Sequence, residues 1–248
     1  MQRHPNTLPQ ILLLLIGLFV FLLIGQFCHF AFFSEFSGGN KAFELNNEHN
    51  IPTFYQAILW LFCSFFSFRI GKSSEKSNAA LWFLFSFVFF FLSLDEYFMI
   101  HDGLSKPMKE RFNLSGALHF GWVIPYAILL LILAPFAWKF VKSLPKAYSI
   151  KFVFSGIVFV FGAMGVEMIG AGRHELYGKG DKLYIVFTSI EESLEIIGIS
   201  LFLYFLIDYA SKFHPQTLLT RRRTFQTLGF LTFLATLILI DRLHLMPF

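Results

Sequence analysis

Seven stretches of this chain are apolar over lengths that match a lipid bilayer, and that constrains its fold more than any other feature. They cover roughly 11–33, 53–70, 80–100, 119–138, 152–172, 183–209 and 224–240. A helix needs about 20 apolar residues to cross the hydrocarbon core, with about 17–25 tolerated. Runs such as Phe87-Val88-Phe89-Phe90-Phe91-Leu92 are too continuous for an amphipathic soluble helix. They also lack the in–out alternation of a membrane barrel strand. The expected fold is therefore all-α: a polytopic helical bundle of about seven transmembrane helices, forming one domain over residues 1–248. The second and seventh runs are short, and the seventh opens with polar Gln226 and Thr227.

Composition agrees. The chain is 56% hydrophobic and 15% charged, where soluble domains carry about 25% charged residues. The net charge of +4 reads as a topology signal, with no indication of nucleic-acid binding. Cys28 and Cys63 both fall inside apolar runs and read as small buried hydrophobes. The first run exceeds the h-region of a signal peptide, about 7–15 residues, and no small-residue cleavage site follows it. It reads as an uncleaved first helix.

Lysine and arginine set the expected sidedness. With seven spans, twelve of them fall on the N-terminal side, including the Arg221-Arg222-Arg223 triplet, and eight on the other. The N-terminus is expected inside and the C-terminus outside, in a plasma-type membrane such as a bacterial inner membrane.

Against this background the ionisable residues within the spans stand out. Asp95, Glu96, Glu167, Glu191, Glu192 and Glu195 lie inside apolar runs or at their ends. Each ionised group at the bilayer centre costs about 2.5–3.5 kcal/mol on insertion scales. Six would approach the whole stability of a typical protein, about 5–15 kcal/mol, so they are expected to be shallow, protonated or matched to cations. The alternating directions of the spans place all six in the outer half. His101, His119 and His174 join them at span ends, as do Gln26 and His29 in the first span. Glu191, Glu192 and Glu195 share one helical sector, and Glu167 shares a face with His174 seven residues on. Glycines at 162, 165, 170, 172 and 198 are expected to bring helices close together.

Carboxylates and imidazoles together suit a divalent metal, zinc or iron. The expected ligands are Asp95, Glu96, His101, Glu167, His174, Glu192 and Glu195, with Glu191 as general base. Neither a Glu-x-x-His nor a His-Glu-x-x-His motif is present. The expected function is a metal-dependent membrane enzyme, a hydrolase ahead of an oxidase, acting on a lipid or other apolar substrate from the non-cytoplasmic side. An ion- or proton-coupled transporter using the same carboxylates is the alternative, and a purely structural polar layer the second. The span count resembles that of the seven-helix membrane hydrolases that include alkaline ceramidases. Their late paired-histidine motif has no counterpart here, so no residue role carries over. Microbial rhodopsin is excluded because residues 224–240 contain no lysine for a Schiff base.

Overall fold

The computed structural model describes residues 7–32, 43, 45 and 50–217. Eight α-helices follow in order: α1 (Thr7–Phe32), α2 (Ile51–Ser73), α3 (Lys76–Phe98), α4 (Ile100–Phe112), α5 (Val123–Lys142), α6 (Lys146–Val160), α7 (Glu167–Tyr177) and α8 (Lys182–Phe213). A π-helical segment, Phe161–Val166, joins α6 to α7 without a break, and Gly116–Leu118 forms a 3-10 turn before α5. Among the described residues there is no strand. Five helices are long and apolar enough to cross a membrane: α1, α2, α3, α5 and the continuous rod Lys146–Tyr177. At 32 residues, α8 is as long as that rod but is not one of the five. The protein is thus all-α and compatible with a multi-pass membrane protein. The seventh run, 224–240, and the arginine triplet lie outside the described residues.

Small polar residues set the closest helix packing. Ser64 Oγ donates to the Ser86 carbonyl at 2.8 Å and Ser86 Oγ returns a bond to the Ser64 carbonyl at 2.9 Å. Ser93 Oγ reaches the Ala57 carbonyl at 2.8 Å. These bonds zip α2 to α3 in the way small residues do inside membranes. The α6–π–α7 rod meets α8 through Gly162 and Gly198. A Cβ on Gly162 would stand 2.9 Å from Leu194 Cβ and 3.0 Å from the Glu191 carbonyl, and one on Gly198 only 2.7 Å from the Phe159 backbone nitrogen. The other expected glycines do less. Gly170 is near Phe187 and Tyr184, Gly165 faces only its own turn at Phe161, and Gly172 faces open space.

The helices alternate in direction, so the bundle has two chemically different ends. At one end Asp208 is buried and accepts from Tyr148 Oη at 2.7 Å, with Lys212 at 3.0 Å and Lys151 at 3.4 Å. Trp82, Phe140, Phe152 and Tyr209 pack around that node as the main core. The other end gathers Asp95, Glu96, Asp102, Glu167, Glu191, Glu192 and Glu195. There the sequence reading expected a loop at 101–118, and the structure instead holds α4. Its 13 residues include none that is buried, and it is too short and too polar to announce itself as a span. Met99, left-handed at φ 54°, makes the turn from α3 into α4.

At its other flank α5 stands away from the bundle. Its only buried residues, Val123 and Phe140, lie near its two ends. The middle of α5 therefore bounds an open space.

Candidate functional site

That space is one cavity of about 1630 Å³ between α3, α5, the α6–π–α7 rod and α8. Its long wall is apolar. Leu84, Val88, Leu133, Phe152 and Phe202 represent the helices that line it. At the acidic end the lining changes. Asp95 and Glu96 come from α3, His101 and Asp102 from α4, Glu167 from α7, and Glu191, Glu192 and Glu195 from α8. Six of the seven expected metal ligands and the expected base thus share one chamber. The seventh does not. His174 lies about 10 Å further along the rod than Glu167, at 1.5 Å per residue, and is not among the lining residues.

Asp95 is the best-defined of these groups. It sits in the last turn of α3, where its carboxylate spans the kink and accepts from the His101 backbone N–H at 2.8 Å. It also accepts from Tyr126 Oη at 2.6 Å, and its second oxygen is 3.3 Å from His101 Nδ1. Burial works against a charged His101, but the hydrogen bond and charge of Asp95, with Asp102 and Glu96 behind, outweigh it and raise the imidazole to about 10. His101 is therefore an imidazolium at neutral pH. Its Nε2 is 3.9 Å from Asp102 Oδ1, outside hydrogen-bond range.

Glu167 is the first residue after the π segment, a distortion that often marks functional positions in helices. It accepts from Trp122 Nε1 at 3.1 Å. Glu195 accepts from Gln56 Nε2 at 3.0 Å. Glu191, Glu192 and Glu195 are half-buried, as expected for one sector facing a chamber. The Gly162 and Gly198 contacts hold that sector against the rod, with Glu167 a turn beyond Gly162. Among the described residues, no three His, Cys, Asp or Glu side chains converge closely enough to hold a metal ion. The expected ligands share a space without forming a coordination shell.

The two remaining histidines form a separate node. His174 Nδ1 is 3.2 Å from His119 Nε2, whose other nitrogen is 2.9 Å from Lys109 Nζ and 3.4 Å from Glu175. Lys109 Nζ is also 3.5 Å from His119 Nε2, so the ring sits between the ammonium, the Glu175 carboxylate and His174. Glu175 also accepts from Gly116 N–H at 2.6 Å. This cluster ties α4, the 3-10 turn and α7 together. Nearby, Asp181 caps α8 by accepting from Tyr184 N–H at 3.0 Å, and the Arg173 hydrogen bond holds its carboxyl below the usual carboxylate range. Gln26 is buried, accepting from Leu45 N–H and reaching Ser189 on α8. It locks α1 in place and is not part of the chamber. The side chain of His29 lies outside the described residues.

Sequence reasoning missed Gln56, Trp122 and Tyr126 as parts of the site. The signal for Gln56 was available, since it is a primary amide inside an apolar run. No curated protein and no solved structure matches the chain. The model of the family described as Domain of unknown function (DUF8692) matches residues 11–209, most of the length and nearly all of the chamber's walls. The chain belongs to that family.

Proposed function

We propose that the protein is a membrane-embedded hydrolase acting on a membrane lipid, with its chemistry at the acidic end of the chamber. One observation carries this reading: a single cavity joins carboxyl groups from four helices to a long apolar wall. An amphiphile would place its chain on that wall and its polar portion among the acids. The chamber exceeds the roughly 300–1,000 Å³ of ordinary small-molecule pockets, as a lipid substrate requires.

In this reading Glu191 takes the proton of the attacking water as its oxygen bonds to the substrate carbonyl carbon. The carbonyl oxygen gains the negative charge, and His101, fixed by Asp95, offers Nε2–H to it. The proton then passes from Glu191 to the leaving group as the scissile bond breaks. Glu96, Glu167, Glu192 and Glu195 line the same end of the chamber and hold the polar part of the substrate there. The chamber faces the non-cytoplasmic side in this proposal, because the opposite end carries Arg69, Lys72, Lys139, Lys142 and Lys146 and basic loops stay inside. An ion path is less well supported, since it needs polar groups through the full depth and the wall towards Phe152 is apolar.

The test is reconstitution into vesicles of total lipid extract, with and without added zinc or iron, and mass spectrometry of the lipids. Wild type should consume a lipid species that Glu167→Gln and Glu195→Gln leave intact. No lipid consumed under any metal condition would overturn the proposal.

A further inference from the structure

Resting on that reading, the lining also indicates the polar group a ligand must carry. Among the described residues, seven carboxyl groups line the chamber with two basic groups, His101 and Lys179. Of these, His101 is engaged by Asp95 and Lys179 is exposed at the mouth. Among the described residues the lining contains no arginine, the residue that most often recognises phosphate or carboxylate by paired hydrogen bonds. An anionic head group would therefore meet like charge without a matching fork.

A second, independent feature points the same way. Gln56 is 2% exposed and lines the chamber, and its Oε1 is buried without a hydrogen-bond partner while its Nε2 is committed to Glu195. A buried carbonyl oxygen beside a carboxylate is a pair of acceptors, and it calls for a ligand that only donates. An ammonium group, with three N–H donors and no acceptor, meets that requirement. Trp122 lines the same end and offers an aromatic face to a cation. From the level of Tyr126 the apolar wall runs along α5 to Val141, about 22 Å by helical rise. That is longer than the roughly 15 Å hydrocarbon half of one leaflet.

We propose that the chamber's ligand is a long-chain primary amine, free or released by the proposed hydrolysis, with its ammonium between Gln56 Oε1 and the α8 carboxylates and its chain along α3 and α5. The amine end and the acid end attract through a low-dielectric space, so head-group charge sets the preference among chains of equal length.

The experiment uses the full chain in detergent micelles and compares hexadecylamine, hexadecanol and hexadecanoate by native mass spectrometry and ligand-induced thermal shift. The amine should bind about tenfold or more tighter than the alcohol, and the carboxylate most weakly. Gln56→Leu and Glu195→Gln should each bring the amine down to the level of the alcohol, while Glu110→Gln on the exposed face of α4 should not. Unfolding curves confirm that each variant is folded, and Gln56→Glu, which keeps the acceptors, should retain the preference if Gln56→Leu fails to fold. Equal binding of amine and alcohol would overturn the cationic inference and leave the lipid chamber standing. Tighter binding of the carboxylate would overturn the inference as well. No binding of any chain would overturn both.

Discussion

Replacing Gly198 by alanine tests how the acidic sector of α8 is positioned. The added Cβ would sit 2.7 Å from Phe159 N, 2.8 Å from its Cβ and 2.9 Å from its Cα. Comfortable carbon contacts lie near 3.5–4.0 Å, so α6 and α8 must part by about 1 Å at this level. Because the obstruction is mostly backbone, no rotamer change relieves it. Overpacking of this kind costs about 1–3 kcal/mol, against a helix-propensity gain for alanine of about 0.5–1 kcal/mol. Gly156 in α6 is the matched control: nothing lies within 4 Å of its added Cβ, so only the propensity gain remains. Gly198→Ala should therefore be less stable than wild type, and Gly156→Ala equal or slightly more stable. Unfolding can be followed with a thiol-reactive fluorophore, because Cys63 is fully buried as a free thiol. If Gly198→Ala matched Gly156→Ala in melting temperature, the close α6–α8 approach at the glutamates would be refuted.

The Asp95–His101 pair predicts a pH dependence of definite sign. His101 is raised from 6.5 to about 10, so its contribution is fully present below about pH 6.5 and is lost as pH rises through about 10. The melting-temperature gap between wild type and His101→Asn should accordingly be widest at about pH 6 and narrow steadily from about pH 6.5 towards pH 10, and a gap that widened over that window would refute the ion pair. Tyr126→Phe removes a 2.6 Å bond to the buried Asp95 carboxylate and should cost about 1.5–3 kcal/mol. In an Asp95→Asn background the same change should cost less, read as a coupling in a double-mutant cycle. Asn50 caps α2, its side chain accepting from Thr53 N–H at 3.1 Å. Asn50→Ala should lower stability by about 0.5–2 kcal/mol, measurable by the same thiol assay, while Asn50→Ser should recover most of it.

The long helices were legible because hydropathy over twenty residues is a strong, local signal. α1, α2, α3, α5, the rod and α8 all overlap the runs expected for them. Helix α4 was not legible, since its polar 13 residues show neither a span's length nor a run of apolar side chains. That the acids would gather at one end of the bundle was also legible, because helix direction and a fixed rise per residue place them along it without tertiary information. What they touch was not. Glu167 and His174 are seven apart and share a face, yet the rod carries His174 past the chamber to His119. Asp95 reaches His101 only because Met99 breaks the helix with a left-handed turn, which no spacing rule anticipates. Gln56 was visible as an amide in an apolar run, but its contact with Glu195, 139 residues further along the chain, was not. The π segment before Glu167 contains Gly162, which packs on Leu194 and Glu191, a contact between distant parts of the chain that spacing does not show.

Entry of a lipid chain into the chamber can be read directly by photolabelling. The protein is placed in vesicles containing a lipid with a diazirine at its chain end, irradiated, and mapped residue by residue by mass spectrometry. Trp60, Phe89 and Phe152 are buried and line the chamber, so a chain that enters should leave adducts on them as well as on exposed Ile132 and Ile157, which lie outside the lining. Adducts confined to Ile132, Ile157 and other exposed positions outside the lining would contradict a lipid-filled chamber.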